Sequence, residues 1–155
     1  MSYYLLNNTL ELCTLEELGG GKVPYAAVLT EAEWQQHRAA FDMGIELEPD
    51  AEHIHGTKAD VNYDSLTGSF LIPNREDLTG KAAAFAFALD EKGIVFIDES
   101  GEAAKLLEQI RRTKRWRDPC LERFRYDLLE LIVSGDLALM EGYEQELDRL
   151  EDAIL

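Results

Sequence analysis

The residues best suited to chemistry crowd into one short stretch: Glu46, Glu48, Asp50, Glu52, His53 and His55. Carboxylates are hard oxygen donors that suit Mg²⁺ or Ca²⁺, whereas imidazole nitrogen suits Zn²⁺. On an extended strand His53 and His55 would lie on the same side, as the first half of a zinc site does. No third ligand follows at a recognisable spacing, and Cys13 and Cys120 are both remote in sequence. The favoured chemistry is therefore an oxygen-rich Mg²⁺ contact through Asp50 or its neighbours.

Other chemistries leave no linear trace. The chain contains no G-x-S-x-G elbow and no H-E-x-x-H pair. Gly19-Gly20-Gly21 precedes Lys22 but lacks the spacing of a phosphate-cradling loop, so it reads as a flexible connector. Carboxylate pairs are too numerous to single one out. The expectation is a protein that is not an enzyme, with no covalent cofactor.

Bulk composition narrows the partners. The chain has 155 residues, of which 31 are acidic and 15 basic, for a net charge of −16. Nucleic acid is an improbable partner for such a chain, because phosphate binding needs a basic footprint. The longest apolar run, Ala82 to Leu89, is far short of the roughly 20 residues that a membrane helix needs. Met1-Ser2-Tyr3-Tyr4 has neither the basic region nor the apolar core of a signal peptide. Two isolated cysteines without a signal suggest reduced thiols in the cytosol.

Several elements must position the acidic stretch. Tyr3–Leu6 and Thr9–Leu12 are β-prone runs across an Asn7-Asn8 turn. Tyr25–Leu29 reads as a strand, followed by Thr30 as the N-cap of a helix to about Met43, with Trp34, Ala39 and Phe41 packing and Gly44 as its stop. Beyond the acidic stretch, Asp60–Tyr63 and Gly68–Pro73 read as strands joined at Ser65–Gly68, with Val61, Tyr63, Phe70 and Ile72 facing inward. Ala82–Leu89 and Gly93–Asp98 form a hairpin turning at Asp90–Gly93; the continuous apolar character of the first arm predicts cover on both faces. Helical spacing returns from Glu99 to Lys114 through Ala103, Leu106, Leu107 and Ile110, with Ser100 as the cap. These elements predict an α/β fold, a mixed sheet flanked by helices.

The last stretch, 118–155, is expected to be a long amphipathic helix on a head of residues 1–117. Leu121, Phe124, Leu128 and Ile132 form one stripe, and Leu137, Met140, Tyr143, Leu147, Leu150 and Ile154 continue it. The stripe changes phase at Ser134-Gly135, where the helix is expected to bend or break. Charge is segregated: Arg111, Arg112, Lys114, Arg115, Arg117, Arg123 and Arg125 precede a tail dominated by acids, so the two segments could pair within the fold or between copies, or simply be solvated. No helix-ending glycine or proline follows, and the expectation is a helix that leads into a further segment.

Three stretches together resemble the cytoplasmic domain of CorA-type magnesium transporters. Asp60-Val-Asn-Tyr-Asp with Ser69-Phe-Leu-Ile-Pro is similar to the family's paired strands. Phe85-Ala-Phe-Ala-Leu-Asp-Glu-Lys-Gly-Ile-Val-Phe-Ile-Asp resembles its next hairpin. Tyr126-Asp-Leu-Leu-Glu-Leu-Ile-Val and the run from Leu139 to Leu155 resemble its long helix.

The resemblance implies an α/β/α head with a long stalk helix, on the cytoplasmic face of the membrane. It implies a homopentamer whose full-length form carries Mg²⁺ through membrane segments absent here, with regulatory Mg²⁺ bound between neighbouring heads. Asp50 looks like the family's head-side sensing aspartate, ahead of His55 as it is there. The Gly-Met-Asn motif of the pore mouth is missing from this chain, which on that reading is the sensing domain of a longer transporter. The alternative is a soluble acidic interaction protein that associates through its C-terminal helix.

Overall fold

The computed structural model describes residues 1–43, 54–77 and 79–155. Ser2–Leu6 (β1) and Leu10–Cys13 (β2) form the N-terminal hairpin, antiparallel across Asn7-Asn8. A short helix, Leu15–Leu18 (α1), leads to the strand Tyr25–Leu29 (β3) and the helix Glu31–Phe41 (α2). Lys58–Val61 (β4), Leu66–Ile72 (β5), Ala83–Leu89 (β6) and Gly93–Ile97 (β7) follow, then Glu102–Thr113 (α3) and Leu121–Ile154 (α4).

The seven strands form one sheet in the order β2-β1-β3-β7-β6-β5-β4. Only β3 and β7 run parallel, so the sheet is mixed. Strand alternation sends its side chains into two cores. On one face Phe70, Phe85, Phe87, Ile94 and Phe96 pack under α3 and α4. On the other, Tyr25, Ala27, Ala86, Ala88 and Val95 pack under α1 and α2. The alternation of alanine and phenylalanine along β6 thus feeds both cores, and the layers are α/β/α. Each phenylalanine fully buried this way contributes about 2–3 kcal/mol.

Local chemistry sets the element ends. Thr30 accepts a bond from the Glu33 amide at 3.2 Å while the Glu33 carboxylate accepts from the Thr30 amide at 2.8 Å, which closes the start of α2. Asp42 ends that helix in the left-handed region, at φ 47°. Asp90 holds the β6–β7 turn by accepting from the amides of Lys92 (2.7 Å) and Gly93 (2.9 Å).

Four sequence expectations need correction. Ala39 is exposed, because Trp34 and Phe41 lie two turns apart on one face and Ala39 does not share it. Val61 is 86% exposed, since β4 is an edge strand whose residues are all exposed, and Tyr63, 100% exposed, lies beyond the strand in the turn that follows. The turn before β5 runs from Asn62 to Ser65, closed by the Asn62 amide on the Ser65 carbonyl at 2.8 Å, and Gly68 lies inside the strand. The start of α3 is capped mainly by Asp98, whose carboxylate accepts from the Ala103 amide at 2.8 Å and the Ser100 amide at 2.7 Å; the Ser100 hydroxyl donates to the same carboxylate at 2.6 Å and accepts only a long bond from the Glu102 amide, at 3.3 Å. The Gly44 stop lies outside the described residues.

Candidate functional site

α4 is one helix of 34 residues, continuous through Ser134 and Gly135, so the expected break is absent. Its two halves live in different surroundings. Leu121, Phe124, Leu128 and Ile132 are buried against the sheet and α3. Leu137, Met140, Tyr143, Leu147, Leu150 and Ile154 are all exposed. The second half therefore runs on from the head for about 30 Å, at 1.5 Å per residue. The apparent phase change marks the point where the helix leaves its core.

Polar contacts help to hold α4 to the head. The buried Trp116 indole donates to the buried Asp127 carboxylate at 2.7 Å, and the Lys114 ammonium lies 3.7 Å from the same carboxyl group and 3.3 Å from Glu130. A buried carboxylate is tolerable only with such partners. At the exit point, the Arg75 guanidinium from the β5–β6 connection sits against Gly135 and lies 3.9 Å from Asp136. Position 135 lacks a side chain where that guanidinium needs room. This explains a glycine within a helix better than a bend does.

Within the chain, the described residues do not pair the basic segment with the acidic tail. Glu108 takes both Arg111 (2.8 Å) and Arg112 (3.0 Å), and Arg111 holds its carboxyl below the usual range. Arg125 lies 3.7 Å from Glu122. Among the described residues no ion pair joins this basic segment to the acids beyond Asp136, of which Glu146 pairs with Arg149 at 3.2 Å. The acid-rich tail presents its carboxylates and its apolar stripe side by side.

The candidate metal ligands fare unevenly. Asp50, with Glu46, Glu48, Glu52 and His53, lies outside the described residues. His55 is exposed, just ahead of β4. Among the described residues no group of three or more His, Cys, Asp or Glu side chains is arranged to hold a metal ion. No described helix is long and apolar enough to cross a membrane.

No protein-family model matches the chain, and no curated protein matches it by sequence. Solved structures do match. The structure of the full-length CmaX protein superposes with a TM-score of 0.66 at 13% identity, covering 99% of this chain and 51% of that one. The CorA magnesium transporter from Methanocaldococcus jannaschii superposes with a TM-score of 0.58 at 11% identity, covering 98% of this chain and 50% of that one. The fold is CorA-like. The match takes in the mixed sheet and nearly all of α4, and this chain spans about half the length of either structure. At these identities the likeness is one of fold.

Sequence reasoning missed three features of this CorA-like domain. The anchoring role of Asp127 was hidden among abundant acids, and only its place on the buried side of the Leu121–Phe124–Leu128 stripe could have revealed it. Arg75 gave no signal, because its partner at Gly135 is distant in sequence. Leu15–Leu18 was too short for a periodicity argument, although Thr14 and Glu17 carry a capping box.

Proposed function

We propose that this CorA-like domain is the regulatory cytoplasmic part of a divalent-cation transporter, sensing Mg²⁺ through carboxylates at the interfaces of a homopentamer. The observation that supports this most directly is the superposition of almost the whole chain, α4 included, on the CorA magnesium transporter. A long helix whose outer half is apolar on one side and acidic elsewhere suits a stalk shared between copies. Carboxylates facing each other across such an interface repel when empty and are bridged when Mg²⁺ is present. Asp50 is the head-side residue proposed for that contact. Mg²⁺ is thus cargo of the whole protein and regulator of this part.

The test is the full-length protein in vesicles, followed for Mg²⁺ uptake with wild-type Asp50 and with Asp50→Ala. Uptake that falls as internal Mg²⁺ rises in wild type, and persists in the variant, is the expected result. Absence of uptake in both sinks the transporter reading; identical inhibition in both removes Asp50 from the sensor.

A second reading, an acidic interaction protein, draws on the exposed stripe of α4. It expects self-association or a heterocomplex that Mg²⁺ does not affect. Sedimentation of Leu147→Ser/Leu150→Ser with and without millimolar Mg²⁺ separates the two readings.

A further inference from the structure

On the α3/α4 side of the sheet, between α4 and the β4–β5 edge, lies a cavity of 380 Å³. Phe70, Phe87 and Ile94 form its sheet side, and Leu128 and Leu129 its helix side. Ala59, on the edge strand, lines the cavity with a side chain too small to fill it, while the Phe87 ring lies over its register partner Gly68. Leu129, 49% exposed, marks its open side. Apolar walls with a few polar groups, here Thr57, Lys58 and Arg125, are the usual make-up of a small-molecule site.

Two cationic residues line the cavity: Arg125 on the helix side, and Lys58 on the strand side, 3.9 Å from Asp60. Among the described residues the ion-pair partner of Arg125 is the mostly exposed carboxylate of Glu122, 3.7 Å away and too distant for a well-formed hydrogen bond. The fork of donors that Arg offers a carboxylate is therefore largely free. Size limits the occupant further. Ligand pockets run from roughly 300 to 1,000 Å³, so this one is small and takes one acyl chain rather than a two-chain lipid.

We propose that this cleft binds a medium-chain carboxylate amphiphile, with the acyl chain between α4 and Phe70 and Phe87 and the carboxylate on Arg125. Because α4 is one wall of the cleft, occupancy would bear on how the helix sits on the head. The proposal does not depend on the transport reading, since it uses only the head and the buried half of α4.

Calorimetric titration of the purified chain with decanoate and with the neutral decanol, below the micelle-forming concentration of decanoate, tests it. Wild type is expected to bind decanoate saturably and more tightly than decanol. Arg125→Gln should weaken decanoate about tenfold and leave decanol unchanged, the loss expected for a charge-assisted bond. Glu122→Gln should tighten decanoate several-fold by removing the competing anion. Ala59→Phe, at an exposed strand position, should fill the cleft and abolish both ligands without lowering Tm. Absence of saturable decanoate binding in wild type overturns the proposal, as does equal binding by wild type and Ala59→Phe. If Ala59→Phe instead dissociates an oligomer that wild type forms, the cleft belongs to a second copy and the proposal is likewise overturned.

Discussion

The Arg75 guanidinium occupies the space into which a side chain at position 135 would project, so Gly135 and Arg75 fit together across the head–stalk junction. The sign of Gly135→Ala follows from which effect is larger. Arg75 is the far end of a flexible side chain and can move aside, and its 3.9 Å pair with Asp136 is partly exposed and therefore weak. Alanine gains about 1 kcal/mol over glycine inside a helix. Gly135→Ala should therefore raise stability by about 0.5 kcal/mol, read from the urea midpoint. A loss of more than about 1 kcal/mol would show that the seat of Arg75 matters more than helix propensity.

Asp127 should be far less forgiving. Removing its carboxylate by Asp127→Ala leaves the buried Trp116 N–H without its 2.7 Å acceptor and Lys114 without one of its two carboxylate neighbours. A cost of about 2–3 kcal/mol is expected. Trp116→Phe alone removes the donor while keeping most of the ring. In a double-mutant cycle the two changes should couple by about 1 kcal/mol or more. Additive effects would mean that the bond contributes nothing to docking of the helix.

How far the fold could be read in advance depended on where its determinants lie. Period-2 and helical spacing revealed β3, β6, β7, α3 and the buried half of α4, because in each the pattern is imposed by a core on a known side. The same logic failed at Val61 and Tyr63, because a β-forming residue type does not tell an exposed edge strand, or the turn after it, from a buried one. It failed at Gly135 because a glycine in a helix was read through propensity alone, while its cause is a guanidinium from a distant loop. The acidic stretch around Asp50 was legible as chemistry and not as geometry, since ligand types show in a sequence and their convergence does not. The two anchors of α4 were invisible for the same reason.

Gly68 should be a rigid requirement, unlike Gly135. A side chain there would meet the Lys58 carbonyl of β4 and, at 2.8 Å, the ring of Phe87, its cross-strand partner. Backbone cannot step aside as an arginine tip can. Gly68→Ala is expected to cost about 2 kcal/mol through overpacking. Combining it with Phe87→Leu should recover part of that cost, because the ring is one of the two obstructions. If Gly68→Ala proves neutral by thermal unfolding, the edge strand β4 must be able to shift outward.

Glu33 carries the clearest pH dependence. Its carboxyl is held below the usual range first by the Thr30 amide, which outweighs the opposing effect of burial, and further by the N-terminal ammonium of Met1, 3.0 Å away. A carboxylate with a depressed folded-state pKa gives stability that is fully present above its unfolded value and lost as pH falls through the folded one. Glu33→Gln retains a side chain able to close the capping box but not the charge. Wild type should therefore exceed the variant in stability at pH 7, by less than about 1 kcal/mol because the ion pair is partly exposed. The gap should close as the pH drops below the ordinary glutamate range, about pH 4.3. Chemical denaturation at pH 7, 5 and 3 reads this directly. A gap that stays constant over that range would place the whole effect in the neutral cap and none in the charge.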